Sequence, residues 1–411
     1  MTQQISQSQD FTDKEILVIN CGSSSVKFSL INPATGESEL SGLAQCLLSS
    51  DANITIKYQG EKKTYNLAAP FDHQCALAIL VSQLQQLGLV KNICAVGHRV
   101  VHGGEQYSEP TLITNEVEQA ISQLAKLAPL HNPANLIGIK ACQQAFSDLP
   151  QIAIFDTAFH QTMPEKAYIY GLPYSLYQEH GVRRYGFHGT SHYFVAKQAA
   201  KQLAKPLEQC NLISAHLGNG CSVTVIKDGK SVDTSLGMTP VEGVMMGTRS
   251  GDLDAGIIFH LVEQLGYSIT DVDNLVNKKS GLLGVSGISN DCRALETAML
   301  EDNNSQAKLA LTVFCYRIAK SIASYSASLT SLDGLIFTGG IGENSSWVRQ
   351  QIIQQLSLLN FALDPDKNLA TRFGASGNIS ADNARDCWVI ATNEEWVIAE
   401  QSAQLLTTLD K

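Results

Sequence analysis

One layout of residues occurs twice in this chain, and it constrains the fold more than any other feature. Ile16 to Asn20 is a short apolar run that breaks into Cys21-Gly22-Ser23-Ser24-Ser25. In the run that follows, Val26, Phe28 and Leu30 alternate with Lys27 and Ser29. Such a pattern predicts a strand, a tight polar turn and a second strand. Far downstream, Leu212 to Ala215 is again apolar and His216-Leu217-Gly218-Asn219-Gly220 is the break. Ser222 to Ile226 then alternates, and Asp228-Gly229 carries a hairpin signal. Aligned on Gly22 and Gly218, the two layouts match with a one-residue slip. This predicts a duplicated domain, with coincidence of two short stretches as the competing reading.

Helix signals separate these strands. Asn132 reads as an N-cap with Pro133 at the first helical position. Ser305 to Leu329 reads as one long helix, with Leu309, Val313, Tyr316 and Ile318 at its apolar positions. Leu335 to Thr338 is a buried-strand candidate running into Gly339-Gly340-Ile341-Gly342, and Ser345 or Ser346 can cap a helix afterwards. Alternating strands and helices define the α/β class. At 411 residues the chain has room for two or three domains of about 150 residues. No Pro- or Ser-rich linker marks a boundary; the division is placed near residue 157.

Composition narrows the partners. The net charge is −10, which argues against a broad nucleic-acid or anionic-membrane surface, since both need clustered Lys and Arg. It leaves room for a small basic pocket that takes an acidic small molecule. There is no secretory h-region and no run of 18 apolar residues. The ten cysteines include no Cys-x-x-Cys pair, which suits buried thiols in a reducing compartment. A soluble cytoplasmic protein is the expectation.

Three glycine-rich turns follow apolar strands: Gly22 to Ser25, Gly218 to Gly220 and Gly339 to Asn344. Turns of this kind present backbone N–H groups to phosphate oxygens. None is a Walker loop, because the only Gly-Lys-Ser, Gly229 to Ser231, has Thr224 where the first glycine must stand. Arg99 stands among Val and Gly, and Arg249 stands in a Gly-rich loop. A guanidinium in such surroundings calls for an anion. His188 and His192 are four apart but lack the Glu of a His-Glu-x-x-His zinc site, so hydrogen-bonding or phosphate contact suits them better than metal. Asp156 and Glu394 follow apolar runs and read either as helix caps or as magnesium or substrate ligands. From the residues alone, the chain reads as a nucleotide-dependent phosphotransferase.

The motifs resemble those of the acetokinase family. The matching blocks are Leu17 to Lys27, Gly97 to Glu105, Ala128 to Pro133, Phe155 to Pro164, Tyr185 to His192, His216 to Gly220, Met246 to Asp252, Asp291 to Arg293, Thr338 to Asn344 and Thr392 to Glu395. The resemblance spans residues 16 to about 400. It implies two duplicated actin-like, ribonuclease H-like α/β domains flanking an active-site cleft, one of residues 1–157 with 395–411 and one of 158–394. The implied reaction is reversible in-line transfer of the ATP γ-phosphoryl group to acetate, giving ADP and acetyl phosphate. Mg²⁺ is the implied cofactor, with Mn²⁺ as a substitute, and a homodimer is the implied assembly.

Site roles follow from the same resemblance. Asn20 and Glu394 match magnesium-site residues. Ser23, Ser25 and Lys27 match a phosphate-contacting turn. His216, Leu217, Gly218, Asn219 and Gly220, then Asp291, Cys292 and Arg293, then Gly340, Ile341, Gly342, Glu343 and Asn344 match the nucleotide-binding stretches. Arg99 matches the acetate ligand, with Val101, Leu130, Phe187 and Pro240 around the methyl group. Asp156, His188 and Arg249 match the catalytic residues. Acetate is already ionised, so Asp156 is expected to organise Mg²⁺ or Arg99 rather than to accept a proton. Cys221, Ala255 and Ala391 depart from the family pattern without removing a functional group; Cys221 reads first as an inert small residue, with oxidation as the competing reading. Competing readings are a propionate or butyrate kinase, an actin-like nucleotide switch that binds a protein partner, and a zinc hydrolase built on His188 and His192.

Overall fold

The computed structural model describes residues 14–129 and 131–409. The chain divides into two compact units. One comprises the chain up to Ala158 and from Asn393 onward; the other is Phe159–Thr392. Each is built on a single sheet.

The first sheet contains β1 (Glu15–Cys21), β2 (Val26–Ile31), β3 (Ser38–Gln45), β4 (Asn53–Tyr58), β5 (Glu61–Asn66), β6 (Ile93–Val100), β7 (Thr111–Leu112) and β8 (Gln151–Phe155). Its order is β5-β4-β3-β2-β1-β6-β8-β7. β1 pairs antiparallel with β2 and parallel with β6, and β6 pairs parallel with β8. The central strand β1 is apolar at almost every position because both faces are covered. Leu17, Ile19 and Phe28 pack against Leu77, Leu80 and Leu84 of helix His73–Gln86, while Ile16, Val18 and Ile154 pack against Ile398 and Ala399 of helix Glu394–Leu409.

The second sheet contains β9 (Leu212–Leu217), β10 (Cys221–Lys227), β11 (Lys230–Thr234), β12 (Gly334–Thr338), β13 (Gly377–Asn378) and β14 (Asp386–Val389), in the order β11-β10-β9-β12-β14-β13. β9 pairs antiparallel with β10 and parallel with β12, and β12 pairs parallel with β14. The run β3-β2-β1-β6-β8 in the first unit therefore has the same connectivity as β11-β10-β9-β12-β14 in the second, and each run ends on a short antiparallel edge strand. The duplication inferred from Gly22 and Gly218 is real at the level of topology.

Several local expectations shift. β9 continues through His216 and Leu217, so the second turn is Gly218 to Gly220 alone. The third glycine-rich stretch is a short helix, Gly339–Asn344, rather than a turn. Ser345 does cap the next helix, its Oγ accepting from Val348 N at 3.0 Å. His131, not Asn132, is the N-cap of helix Asn132–Ala145. Asn132 is fully buried and binds both backbone groups of His102 instead, a tertiary use that no capping rule anticipates. The long helix is Ser305–Tyr325; it buries Ala310, Leu311, Phe314 and Ile318, while Leu309 and Tyr316 are exposed. The buried face mixes alanines with Leu311, Phe314, Ile318 and Ile322. Among the described residues no helix is long and apolar enough to cross a membrane.

Glu15, at the start of β1, is buried beside Glu39 of β3. Burial first, and then hydrogen bonding to and repulsion by Glu39, push its carboxyl up to about 7 from an ordinary 4.5. The folded state thus favours the protonated form. That stabilisation is whole below pH 4.5 and is lost as pH rises through about 7. Glu15→Gln is expected to flatten the dependence of stability on pH across this window and to stabilise the first unit at pH 8 by about 1–3 kcal/mol. Urea unfolding at pH 5 and pH 8 checks this; an unchanged difference between the two pH values contradicts it.

Candidate active site

In the first unit the side chains of interest stand at the carboxyl ends of β1, β6 and β8, where open α/β sheets place their ligands. Asn20 comes from β1, Arg99 from β6, and Asp156 follows β8 directly. Arg99 donates to Asp156 through Nε at 3.2 Å and Nη2 at 2.5 Å, and through Nη1 to Asn20 Oδ1 at 3.4 Å. The anion demanded by Arg99 is therefore, in part, the protein's own Asp156. Three of the five guanidinium N–H groups are used; two remain, on a side chain that is 22% exposed. Burial works against the Arg99 charge, but Asp156 and then Glu394 outweigh it and hold its pKa above the ordinary value. Burial pushes the Asp156 carboxyl up and Glu394 adds to this, against the pull of Arg99. Asp156 bonds the guanidinium directly, while Glu394 acts on both groups only through its charge.

Buried asparagines hold this end of the sheet. Asn135 donates to Cys21 O at 2.9 Å and accepts from Val101 N at 3.1 Å, fixing the backbone on either side of the Asn20–Arg99 contact. Gly138 lets its helix approach β1, since a Cβ there would lie 2.6 Å from that of Cys21. Val101 is buried. Leu130 lies outside the described residues. Ser23 is exposed, and Lys27 is ion-paired to Glu395 at 2.8 Å. Ser25 Oγ would lie 3.0 Å from a Cβ at Gly22, within the tight turn.

In the second unit, His188 precedes helix Gly189–Gln202 in a left-handed conformation with φ of 58°. A bulky residue held in that region commonly marks a functional site. Its ring stacks on that of His216 at 4.4 Å, and its Nδ1 lies 2.9 Å from Ser222 Oγ. A Cβ built on Gly220 would lie 3.4 Å from both His188 Nε2 and Arg249 Nη1, so glycine leaves a face that both groups flank. Arg249 contacts the Pro240 carbonyl at 3.4 Å and Met246 Sδ at 3.9 Å, and no carboxylate among the described residues pairs with it. Burial lowers its pKa somewhat. Phe187 is buried and Pro240 half-buried. Both ring nitrogens of His192 are engaged by serine hydroxyls, which removes it as a metal ligand. Cys221 is fully buried, its thiol pushed up to about 12 by that burial, and its Sγ donates to Gly218 O; it is not poised for oxidation.

A cavity of about 600 Å³ in the same unit draws together Gly218, Asn219, Asp291, Cys292, Arg293, Gly340, Ile341 and Asn344. That volume suits a nucleotide-sized ligand. Leu217 and Gly342 are buried beneath it. Glu343 turns away and accepts from Gly339 N at 2.9 Å and Thr392 N at 3.1 Å. The cavity also takes in Asn290, Glu296, Ser345, Arg372 and Phe373, which sequence reasoning missed. Glu296 and Ser345 were findable as neighbours of predicted stretches. Arg372 and Phe373 carry no local signal, yet Phe373 is 82% exposed, with the Arg372 guanidinium 5.2 Å from its ring centre.

A strand-end site with two carboxylates in one unit, and in the other an arginine with no carboxylate partner among the described residues and a nucleotide-sized cavity, on duplicated domains, define a phosphotransferase architecture. The family comparison agrees: the pattern of the acetokinase family matches residues 15–400. An acetate kinase of Shewanella sp. strain ANA-3 is 54% identical over 398 residues, covering 96% of this chain and 100% of that protein. The crystal structure of a Porphyromonas gingivalis acetate kinase superposes with a TM-score of 0.90 at 41% identity, covering 96% of this chain and 100% of that one. A propionate kinase from Francisella tularensis superposes with a TM-score of 0.90 at 46% identity, covering 94% and 98%. The chain belongs to the acetokinase family. Its fold is the duplicated actin-like α/β fold, and it is a phosphotransferase with a carboxyl group as acceptor.

Proposed function

We propose that this protein transfers the γ-phosphoryl group of ATP to acetate by direct in-line displacement, reversibly, giving ADP and acetyl phosphate. The observation that carries this reading is Arg249: a half-buried guanidinium whose hydrogen-bond partners among the described residues are a carbonyl and a thioether and no carboxylate, in the unit that holds the nucleotide-sized cavity. A cation kept from neutralisation in this way suits a ligand that brings its own negative oxygens.

The difficulty in the reaction is charge, since an anionic carboxylate must approach an anionic phosphate. Arg99 binds the carboxylate through its two remaining N–H groups, and Asp156 fixes the plane of the guanidinium that does so. Asp156 accepts no proton from acetate, which is already ionised. Val101, Phe187 and Pro240 are the apolar residues that the family resemblance assigns to the methyl group. Arg249 and His188 offset charge on the transferring phosphoryl group. Asn20 and Glu394, with Asp156 in the same group around Arg99, offer hard oxygen donors, and they would hold Mg²⁺ or Mn²⁺. When bound, that ion supplies positive charge to the phosphate oxygens. Ser23, Ser25 and Lys27 serve as a phosphate-contacting turn, Lys27 exchanging Glu395 for substrate oxygens.

The protein is a homodimer in this reading. Helix Gly256–Glu263 buries none of its residues, and Ile257, Phe259, Leu265, Tyr267 and Ile269 are exposed around it. A second copy of the chain is the occupant that fits a patch of this size. The cytoplasm suits ten cysteines that are all free thiols.

Three outcomes test these assignments. Arg249→Ala should lower kcat by about 10³ to 10⁵ while the KM for ATP changes little; wild-type turnover removes the role. Acetate should exceed propionate, and propionate butyrate, in kcat/KM, with one methylene worth about 1–3 kcal/mol; a propionate preference would instead favour the kind of activity named for the Francisella neighbour. Sedimentation should give about twice the chain mass of 44.4 kDa, and Phe259→Asp should shift it toward the monomer; a monomeric wild type contradicts the dimer.

A further inference from the structure

His192 lies one helical turn after His188 and is completely buried. Its Nδ1 is 2.5 Å from Ser214 Oγ and its Nε2 is 2.7 Å from Ser222 Oγ. The same Ser222 hydroxyl is 2.9 Å from His188 Nδ1. Ser214, His192, Ser222 and His188 therefore form one continuous hydrogen-bonded chain, running from β9 through a helix to β10 and back to the residue before that helix.

Burial keeps His192 well below the ordinary imidazole pKa, and the neighbouring His160 and His216 rings act the same way, so the ring is neutral and carries one proton. A serine hydroxyl has one hydrogen. Between two ring nitrogens it donates to one and accepts from the other. The chain then has two possible polarities. In the first, the Ser214 O–H donates to His192 Nδ1, the His192 Nε2–H donates to Ser222 Oγ, and the Ser222 O–H donates to His188 Nδ1. In the second, every bond reverses and the Ser214 hydrogen must find another acceptor. Ser214 is completely buried in β9, and its hydroxyl has no second partner among the described residues. A buried donor left unmet biases the choice by roughly tenfold or more toward the first polarity.

We infer that this chain fixes the proton of a neutral His188 on Nε2, so that His188 presents an N–H donor toward the face of Gly220 that Arg249 also flanks, with Ser214, His192 and Ser222 as positioning residues. The consequence for turnover rests on the proposed contact between His188 and the transferring phosphoryl group. A neutral donor suits this place. Among the described residues, the titratable and charged groups around His188 include His216, stacked on it, Arg249 across Gly220 and His192 behind Ser222, and a second cation beside Arg249 would be unfavourable.

The direct test is two-bond ¹H–¹⁵N correlation on the full-length protein labelled at histidine nitrogen, with His188→Gln identifying the resonance. Expected is a protonated Nε2 and a bare Nδ1 at His188; a protonated Nδ1 in the wild-type protein overturns the inference. Ser222→Ala should mix the two tautomers and lower kcat about tenfold, with the KM values for acetate and ATP unchanged within about twofold. Ser214→Ala should do the same more weakly, and Ser214→Thr, which keeps the hydroxyl, should restore both readouts. Wild-type kcat with mixed tautomers in Ser222→Ala overturns the positioning role. Wild-type kcat in His188→Gln would instead defeat the phosphoryl-contact reading while leaving the tautomer measurement standing. Should Ser222→Ala fail to fold, the wild-type tautomer still decides.

Discussion

The bidentate contact between Arg99 and Asp156 is the constraint around which the first unit's site is arranged. It joins the ends of β6 and β8, brings Asn20 of β1 into the same group, and leaves the guanidinium partly satisfied. A fully exposed arginine would give up little on binding an anion, and a fully neutralised one would have no reason to bind. Asp156 holds the group between these limits. Glu394 attracts Arg99 and repels Asp156, so a cation arriving there would relieve the repulsion between the two carboxylates.

The second unit solves the complementary problem with the same topology. Its site carries His216 on a strand, His188 before a helix and Arg249 in a loop, and hydroxyls rather than charges contact the rings: Ser222 for His188, and Ser191, itself bonded to Thr392, for His216. One connectivity thus supports two electrostatically opposite sites, because the side chains just beyond the strands can change without disturbing the buried faces. Arg349 shows the purely structural use of the same charge. It is fully buried and spends its guanidinium on the carbonyls of Gly342, Glu343, Asn368 and Thr371 and the amide of Asn368, bracing two stretches beside the cavity. Its charge is met by carbonyl dipoles, so it has little left for a ligand, whereas Arg249 does.

Local pattern made much of this legible. The strand-turn-strand repeat, the buried strand at Leu335, the Ser345 cap and the type of turn at Asp228-Gly229, where both residues have positive φ, follow from periodicity and turn chemistry that act within a few residues. What pattern misjudged was decided at a distance. Asn132 has every credential of a cap, yet its amide bonds to His102 and Ile121, because a buried backbone elsewhere needed partners more. Leu309 and Tyr316 sit at helical spacing but face outward, because the stripe that meets the core runs through Ala307, Ala310, Leu311, Phe314, Ile318 and Ile322 instead. Phe373 gives no sign of itself in sequence; it joins the cavity only because Asn344 receives its N–H across a gap of 29 residues.

By itself, the sequence determined the class of fold, the duplication and the residue types on which phosphoryl chemistry depends, because those depend on hydrophobic period, glycine turns and functional groups that are properties of the chain. Tertiary structure alone decided which charges are neutralised and which are left waiting. Arg99 and Arg249 look alike in sequence, each set among glycine and small residues. One meets a carboxylate 57 positions away; the other, among the described residues, bonds to a carbonyl and a thioether and to no carboxylate. Pairing of that kind is a matter of distance in space, and spacing along a chain does not encode it.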